Sequence, residues 1–305
     1  LYALANLSYS LRDYSKAKEY YIQALEIFKR LSIDDPAKYE PSIAKTQGSL
    51  GVLYNILQQP ENAEEAYLET VEIERELARE NPQRYEPALS ITLMNFGIFY
   101  SDLNDLSKSE KVYLESIAIR KRLVKENPRR YEPDLAKGLG NLGNLYYQQK
   151  QYTKAETVIL ESIEIYRGLA LENKQVYEPD LAFNLGNLGF FYESIKNYSK
   201  ADTAYFESLK IYENLARKNP KRYNPDLGYT QIGIAYLMQS LLLQELDLNY
   251  QEKGLELAQN AKVVLNACDT SISFVQDLLK NANELEGYFL DFSAEDIEIQ
   301  KAINN

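Results

Sequence analysis

Apolar residues recur along this chain at three- and four-residue steps, in paired runs, and nowhere in the strict alternation that a half-buried strand requires. In one stretch Leu135, Leu139, Leu142 and Tyr146 share a helical face. A polar break follows from Gln148 to Gln151, and then Ala155, Ile159, Ser162, Ile163 and Tyr166 trace a second face. The pattern predicts that Pro133 opens the first helix, because its fixed φ suits a first turn and its missing N–H costs nothing there. Asp134 would then lie near the positive end of the helix dipole. The second helix is predicted to open with a capping box, Thr153 with Glu156, as Ser107 with Glu110 and Ser199 with Asp202. Its end is predicted at Asn127-Pro128 and Asn219-Pro220 in sister segments, since proline biases the preceding residue out of the helix. Where Lys174 replaces that proline, the helix is expected to run on or fray.

The paired runs repeat. Tyr-Glu-Pro occurs at Tyr39, Tyr85, Tyr131 and Tyr177, and Tyr-Asn-Pro at Tyr223, each 46 residues after the last. Leu4-Ala5-Asn6-Leu7 lies three periods before Leu142-Gly143-Asn144-Leu145, so the register holds from the start. A constant period of this size marks a solenoid, in which each repeat buries its apolar face against its neighbours. Residues 1–266 read as six helical hairpins, the first lacking its start, which predicts that the chain is a fragment. An insertion around Leu241 to Leu248 extends the first helix of the last repeat, and Gly254, Ala258 and Ala261 restore the small-residue spacing afterwards. Residues 267–305 lose the register; Ser271–Glu286 and Ser293–Ile303 read as two helices that cap the stack.

Within each repeat the form is Leu-Gly-x-x-Tyr, then Tyr-x-x-Ala. It is carried by Leu142, Gly143, Tyr146, Tyr152 and Ala155, and again by Leu188, Gly189, Tyr192, Tyr198 and Ala201. This resembles the tetratricopeptide repeat, from residue 1 to about 266. The usual repeat is ~34 residues, so the chain looks like the longer, kinesin-light-chain-like subclass found in many bacterial proteins. The excess is assigned to a longer second helix and to the Asn-Pro-x-Arg-Tyr-x-Pro connector. The resemblance implies an all-α, right-handed superhelical solenoid of antiparallel helix pairs, with first helices on the concave side.

Composition removes several functions. The 305 residues include no His and no Trp and a single Cys, Cys268. No His–metal cluster, Ser–His–acid triad or Cys–His pair can be assembled. No cofactor is expected. One cysteine forms no internal disulfide, a mild pointer to a reducing compartment such as the cytoplasm. The net charge of -11 opposes nucleic-acid binding, which depends on cationic side chains displacing counterions, and opposes anionic membranes likewise. No signal peptide is visible, and the longest apolar stretch, Ile232 to Leu248, carries too many polar residues to insert in a bilayer.

The face opposite the buried stripe holds the candidate site. Stepping along the first helices gives Lys137, Asn141, Asn144 and Gln148, with Lys45, Ser49, Val52 and Ile56, then Ile91, Asn95, Ile98 and Asp102, in the preceding repeats. Later come Phe183, Asn187, Phe190 and Ser194, and Tyr229, Gly233, Tyr236 and Ser240. Asn95, Asn141 and Asn187 occupy one equivalent position. An amide both donates and accepts, so it pairs with the backbone of an extended peptide whatever its side chains; the resemblance implies that role for these three. Phe183, Phe190, Tyr229 and Tyr236 form an aromatic patch of the kind that anchors partners, and Tyr2, Tyr9 and Tyr147 add to the lining. The bland readings are that the asparagines tie neighbouring first helices together and that Phe183 and Phe190 are core. The tyrosine of Tyr-Glu-Pro reads as a structural wedge, and Glu161, Glu164 and Arg167 as a solvated outer face.

A carboxylate clamp of the chaperone-binding type is not expected. Val52, Ile98, Phe190 and Tyr236 stand where it needs asparagine, and Lys45 and Lys137 are two repeats apart. Paired-carboxylate catalysis is disfavoured too, because Asp102 and Glu193 have no second acid at a matched offset. The chain is therefore predicted to be a non-enzymatic scaffold for a protein or peptide partner. The alternatives are a regulatory or sensor segment of a larger signalling protein, and self-association through the C-terminal helices.

Overall fold

The computed structural model describes residues 1–293, 295, 296, 298 and 299, and among these every regular element is an α-helix. In order they are α1 (Tyr2–Ser10), α2 (Tyr14–Ser32), α3 (Pro36–Ile56), α4 (Pro60–Glu80), α5 (Pro82–Asp102), α6 (Leu106–Glu126) and α7 (Pro128–Gln148). Then come α8 (Tyr152–Glu172), α9 (Lys174–Ser194), α10 (Tyr198–Lys218), α11 (Pro220–Glu245), α12 (Asn249–Asn266) and α13 (Ser273–Asp291). The chain divides into two compact units, Leu1–Val158 and Ile159–Asn305, parting within α8.

A repeated cap sets the start of the first helices. The side chains of Asp35, Asn81, Asn127, Asn173 and Asn219 each accept from the backbone N–H three residues on, at 3.2–3.3 Å. An acceptor of this kind satisfies one of the donors that a helix start strands. Pro128 follows its cap and opens α7, which moves Pro133 inside the helix with Asp134 after it. The expected start at Pro133 is thus five residues late. A proline there removes one hydrogen bond and crowds the residue four back, but so near the N-terminus the stranded carbonyl lies in an exposed turn. At Lys174 the expected fraying is absent: Asn173 accepts from Val176 N at 3.3 Å and α9 keeps the length of its sisters. The asparagine decides the boundary, and the proline only reinforces it.

The capping boxes are also corrected. Asp105 and Asn197 cap α6 and α10, accepting from Lys108 N and Lys200 N, so Ser107 and Ser199 lie inside the first turn. Thr153 likewise is the second residue of α8. A carboxylate or amide one bond longer than a hydroxyl reaches the third amide from further back. The added length of the repeat is shared, because α3 to α10 are each 21 residues and the supposed connector is helical.

Each hairpin turns on one left-handed residue, at Arg12, Gln58, Asn104, Lys150 and Lys196, with φ of 54–60°. The N–H after it reaches back to the helix's last turn, as Gln59 N to Tyr54 O and Asp105 N to Tyr100 O, both 2.9 Å. That six-to-one bond offsets the strain of the left-handed residue. In the last repeat the turn moves to Leu246 (φ 55°), so the insertion lengthens α11 to 26 residues and the rest of it falls in the loop.

In unit 1, α1/α2, α3/α4 and α5/α6 are hairpins and α7 packs on α5 and α6. The buried stripe read from α7 is buried as expected. Close packing needs glycine where a ring crosses: a Cβ on Gly97 would stand 2.3 Å from Tyr113. A buried hydroxyl staples the two helices of a hairpin, Ser116 Oγ donating to Ser90 O at 2.6 Å. In unit 2, α9/α10 and α11/α12 pair the same way, and Ser208 Oγ donates to Ala182 O at 2.7 Å. There α13 lies against both α11 and α12, in the place of a further first helix. Phe289 is fully buried against Gly254. The expected helix Ser271–Glu286 is this α13, running to Asp291. The expected helix Ser293–Ile303 falls largely outside the described residues.

Candidate binding site

On unit 1, the first helices α3 and α5 flank a cavity of about 520 Å³ floored by α4. Lys45, Gly48, Ser49 and Val52 line one wall, Ala88, Ile91, Thr92 and Asn95 the other, and Tyr67, Glu74 and Leu77 the floor. Asn95 is half-buried at its edge. On α7, Lys137 and Asn144 are exposed, whereas Asn141 is half-buried and its Nδ2 lies 3.6 Å from Met94 Sδ on α5. Asn141 therefore makes the tie between first helices while keeping part of its surface open. Tyr147 packs its ring 6.2 Å from that of Tyr152 at the hairpin turn. Tyr2 sits beneath Lys45, ring centroid 5.0 Å from Nζ, with its hydroxyl 3.1 Å from Ser49 Oγ. Asn6 Oδ1 accepts from Tyr21 at 2.5 Å.

On unit 2, α9 and α11 bring the aromatic residues together. Phe183, Phe190, Tyr229 and Tyr236 are 54, 53, 44 and 37 % exposed, so none of them is core. Asn187 is half-buried among them in sequence. Phe183 and Tyr229 border a cavity of about 230 Å³ over Tyr212 and Thr230, and Phe274 of α13 closes its side, 6.4 Å from the Tyr229 ring. A second cavity of about 240 Å³ lies between Phe190, Tyr229 and Tyr236, with Leu278 and Asn281 of α13 on its rim. Glu193 projects into it; burial pushes its carboxyl up to about 7, and the Tyr205 hydroxyl, donating at 3.0 Å, pulls partway back. On the outer helices, Arg167 does more than meet solvent, donating through both terminal guanidinium nitrogens to Glu207.

Two contributors escaped the sequence reading. The α13 residues lie in the segment where the register is lost, so no periodicity marks them. Glu74 was legible: the equivalent residues in other repeats are Phe28, Arg120, Tyr166 and Tyr212, all large, and Glu74 breaks that series.

Helical hairpins built mostly from 21-residue helices, their first helices from α3 to α11 opened by an Asp or Asn cap, define a helical-repeat protein. The sequence pattern of the Tetratricopeptide repeat matches residues 1–30, 91–129 and 135–170, so the chain carries tetratricopeptide repeats there. None of the curated proteins matches it in sequence. Among solved structures it is similar to BtubC (BKLC) from P. vanneervenii, at 20% identity over 83% of this chain and 91% of that one, with a TM-score of 0.65. It is also similar to a signal transduction ATPase with numerous domains that carries a tetratricopeptide repeat sensor, from Pyrococcus horikoshii. There the identity is 15% over 94% of this chain and 40% of that one, with a TM-score of 0.59. A Rap protein complexed with competence and sporulation factor matches all of this chain and 75% of its own, at 15% identity and a TM-score of 0.53. At these identities the likeness is one of fold. Among the described residues no helix is long and apolar enough to cross a membrane.

Proposed function

We propose that this chain is a non-enzymatic interaction module that holds an extended or helical segment of a partner protein on its first-helix faces. The observation that carries the reading is the exposed cluster Phe183, Phe190, Tyr229 and Tyr236 on α9 and α11. Four large rings left in water on adjoining helices lose free energy that a partner would recover on covering them. Rings also order cheaply, with only two rotatable side-chain bonds each, which makes them effective anchors. Half-buried amides at Asn95, Asn141 and Asn187 supply donors and acceptors that recognise a backbone. The Rap protein bound to competence and sporulation factor is a precedent for a ligand on this fold. A second reading, a sensor segment of a larger signalling protein, is favoured by the ATPase whose tetratricopeptide repeats form a sensor.

The test pairs the wild-type chain with a Phe190→Ala/Tyr236→Ala variant. Proteins captured from a lysate are identified, and overlapping peptides of the strongest are titrated by fluorescence anisotropy. Both positions are exposed, so the variant keeps its helical circular dichroism and melting midpoint. Affinity for the best peptide falls at least about tenfold, as expected for paired aromatic anchors. Equal affinities would remove the aromatic cluster from the site.

A further inference from the structure

The unit 1 cavity exists because one side chain is too short. In unit 2, Tyr212 lies under α9 and α11, and its hydroxyl donates to Pro179 O at 3.3 Å. In α6, Arg120 fills the equivalent place and reaches Asp134 O. Glu74 stands there in α4 and spans neither distance; Pro41, the counterpart of Pro179, is left lining open space. Ala44, Gly48 and Ala88 keep the walls thin. The carboxyl is 6 % exposed and its Oε2 has no hydrogen-bond partner. A buried oxygen of that kind costs stability until something donates to it. Burial holds its pKa up to about 7, with the Thr92 hydroxyl lowering it slightly, so a bound cation would find a carboxylate ready to ionise. Lys45 and Arg84 border the cavity, and Glu74 Oε2 pairs with neither; their charge opposes any cation at the mouth, and only one that reaches the buried carboxyl is compensated.

We propose that this cavity is a specificity pocket for one basic side chain of a bound segment, its ammonium or guanidinium paired with Glu74 and its stem against Val52 and Ile91. A cation on an apolar stem matches an acidic floor under apolar walls, and about 520 Å³ is ample room for one such side chain. This rests on the peptide-binding reading and adds which residue the peptide must carry.

Fluorescently labelled, capped Ala-Ala-Xaa-Ala-Ala peptides with Xaa as Lys, Arg or norleucine are titrated against the full chain near pH 8. The Lys and Arg peptides bind at least about tenfold tighter than norleucine, the size of a charge-assisted hydrogen bond in a buried site. Glu74→Gln erases that preference and leaves the norleucine affinity within about twofold. Glu74→Tyr, which rebuilds the ring of the sister repeats, erases it too. Equal affinity for Lys and norleucine, or a preference that survives Glu74→Gln, overturns the pocket and leaves peptide binding standing. No binding by any of the three overturns both. Free n-butylammonium binds at least about tenfold more weakly than the Lys peptide; equal binding overturns the assignment to a side chain.

Discussion

Between α3 and α5 in unit 1, and between α9 and α11 in unit 2, the backbone builds one site twice, three repeat periods apart, with different side chains. Ala44, Gly48 and Thr92 recur as Ala182, Gly186 and Thr230, and they line both cavities. The rest is exchanged: Lys45 for Phe183, Glu74 for Tyr212, Ala88 for Asp226 and Ile91 for Tyr229. The cavity falls from about 520 to about 230 Å³ with the exchange. In unit 2 the floor is filled and the rings stand at the mouth; in unit 1 the mouth is cationic and the floor is an orphaned acid. A repeat frame thus fixes where the cavity lies, while a few substitutions decide its size and its charge.

Removing the floor should affect the two sites very differently. Tyr212 is buried with its hydroxyl bonded, so Tyr212→Ala leaves a void and a lost hydrogen bond, costing about 3–5 kcal/mol. At the same repeat position Glu74→Ala removes a buried carboxyl that bonds little, and near pH 8 it changes stability by less than about 1 kcal/mol or raises it. Urea unfolding of both variants, with hydrogen exchange to locate the loss in α9 to α11, decides it. Equal costs would mean that Glu74 is as much a structural strut as Tyr212, and the contrast between floors would collapse.

The acid floor also sets a pH dependence. The Glu74 pKa is raised from 4.5 to about 7 by burial, so between those values the folded chain holds a proton that the unfolded chain has released. Stability should therefore be highest near and below the lower value and decline as pH rises toward 7, by on the order of 3 kcal/mol, then level off. Glu193 in unit 2 is raised to about 7 as well and adds a slope of the same sign. Glu74→Gln should remove one share of the slope and Glu193→Gln the other, read from urea midpoints between about pH 5 and 8. Glu74→Tyr should remove its share and stabilise the fold by about 1–2 kcal/mol, by filling the void and offering a hydroxyl to Pro41. A slope unchanged by Glu74→Gln would show that the carboxyl is hydrated.

The periodic features of this fold could be read from the chain, and the features that depend on reach could not. Leu135, Leu139, Leu142 and Tyr146 announced a buried stripe because burial acts on every turn of a helix. The buried small residues at Gly254, Ala258 and Ala261 followed from the same period. The helix starts did not, because two cues competed in each connector. Pro133 looked like a first-turn proline, yet Asn127 caps six residues earlier and outranks it. On these faces, exposure of Phe183 and Phe190 followed from the helical step, whereas the tie that Asn141 makes depends on the thioether of Met94 one repeat away. Glu74 lay on a face assumed to be core, and only comparison across repeats marks it as an exception. The contribution of α13 depends on how a segment without register packs, which no spacing rule reports.

The smallest expected effect tests whether the frame itself is equal in the two units. Arg75 in α4 grips Glu115 in α6 through Nε at 3.0 Å and through a terminal guanidinium nitrogen at 2.7 Å. Arg167 in α8 grips Glu207 in α10 two periods later, with one nitrogen at 2.6 Å. Each pair joins consecutive second helices on the outer side, and each is about two-fifths exposed at the arginine. Two-pronged geometry adds direction to the contact, but solvent screens it, so each pair should contribute about 0.5 kcal/mol. Arg75→Gln and Arg167→Gln should then shift the urea midpoint equally at about 0.05 M salt, add when combined, and shift it far less at about 1 M. Unequal shifts would mean that the outer layer also differs between units, and the contrast between the two cavities could no longer be assigned to the side chains that line them.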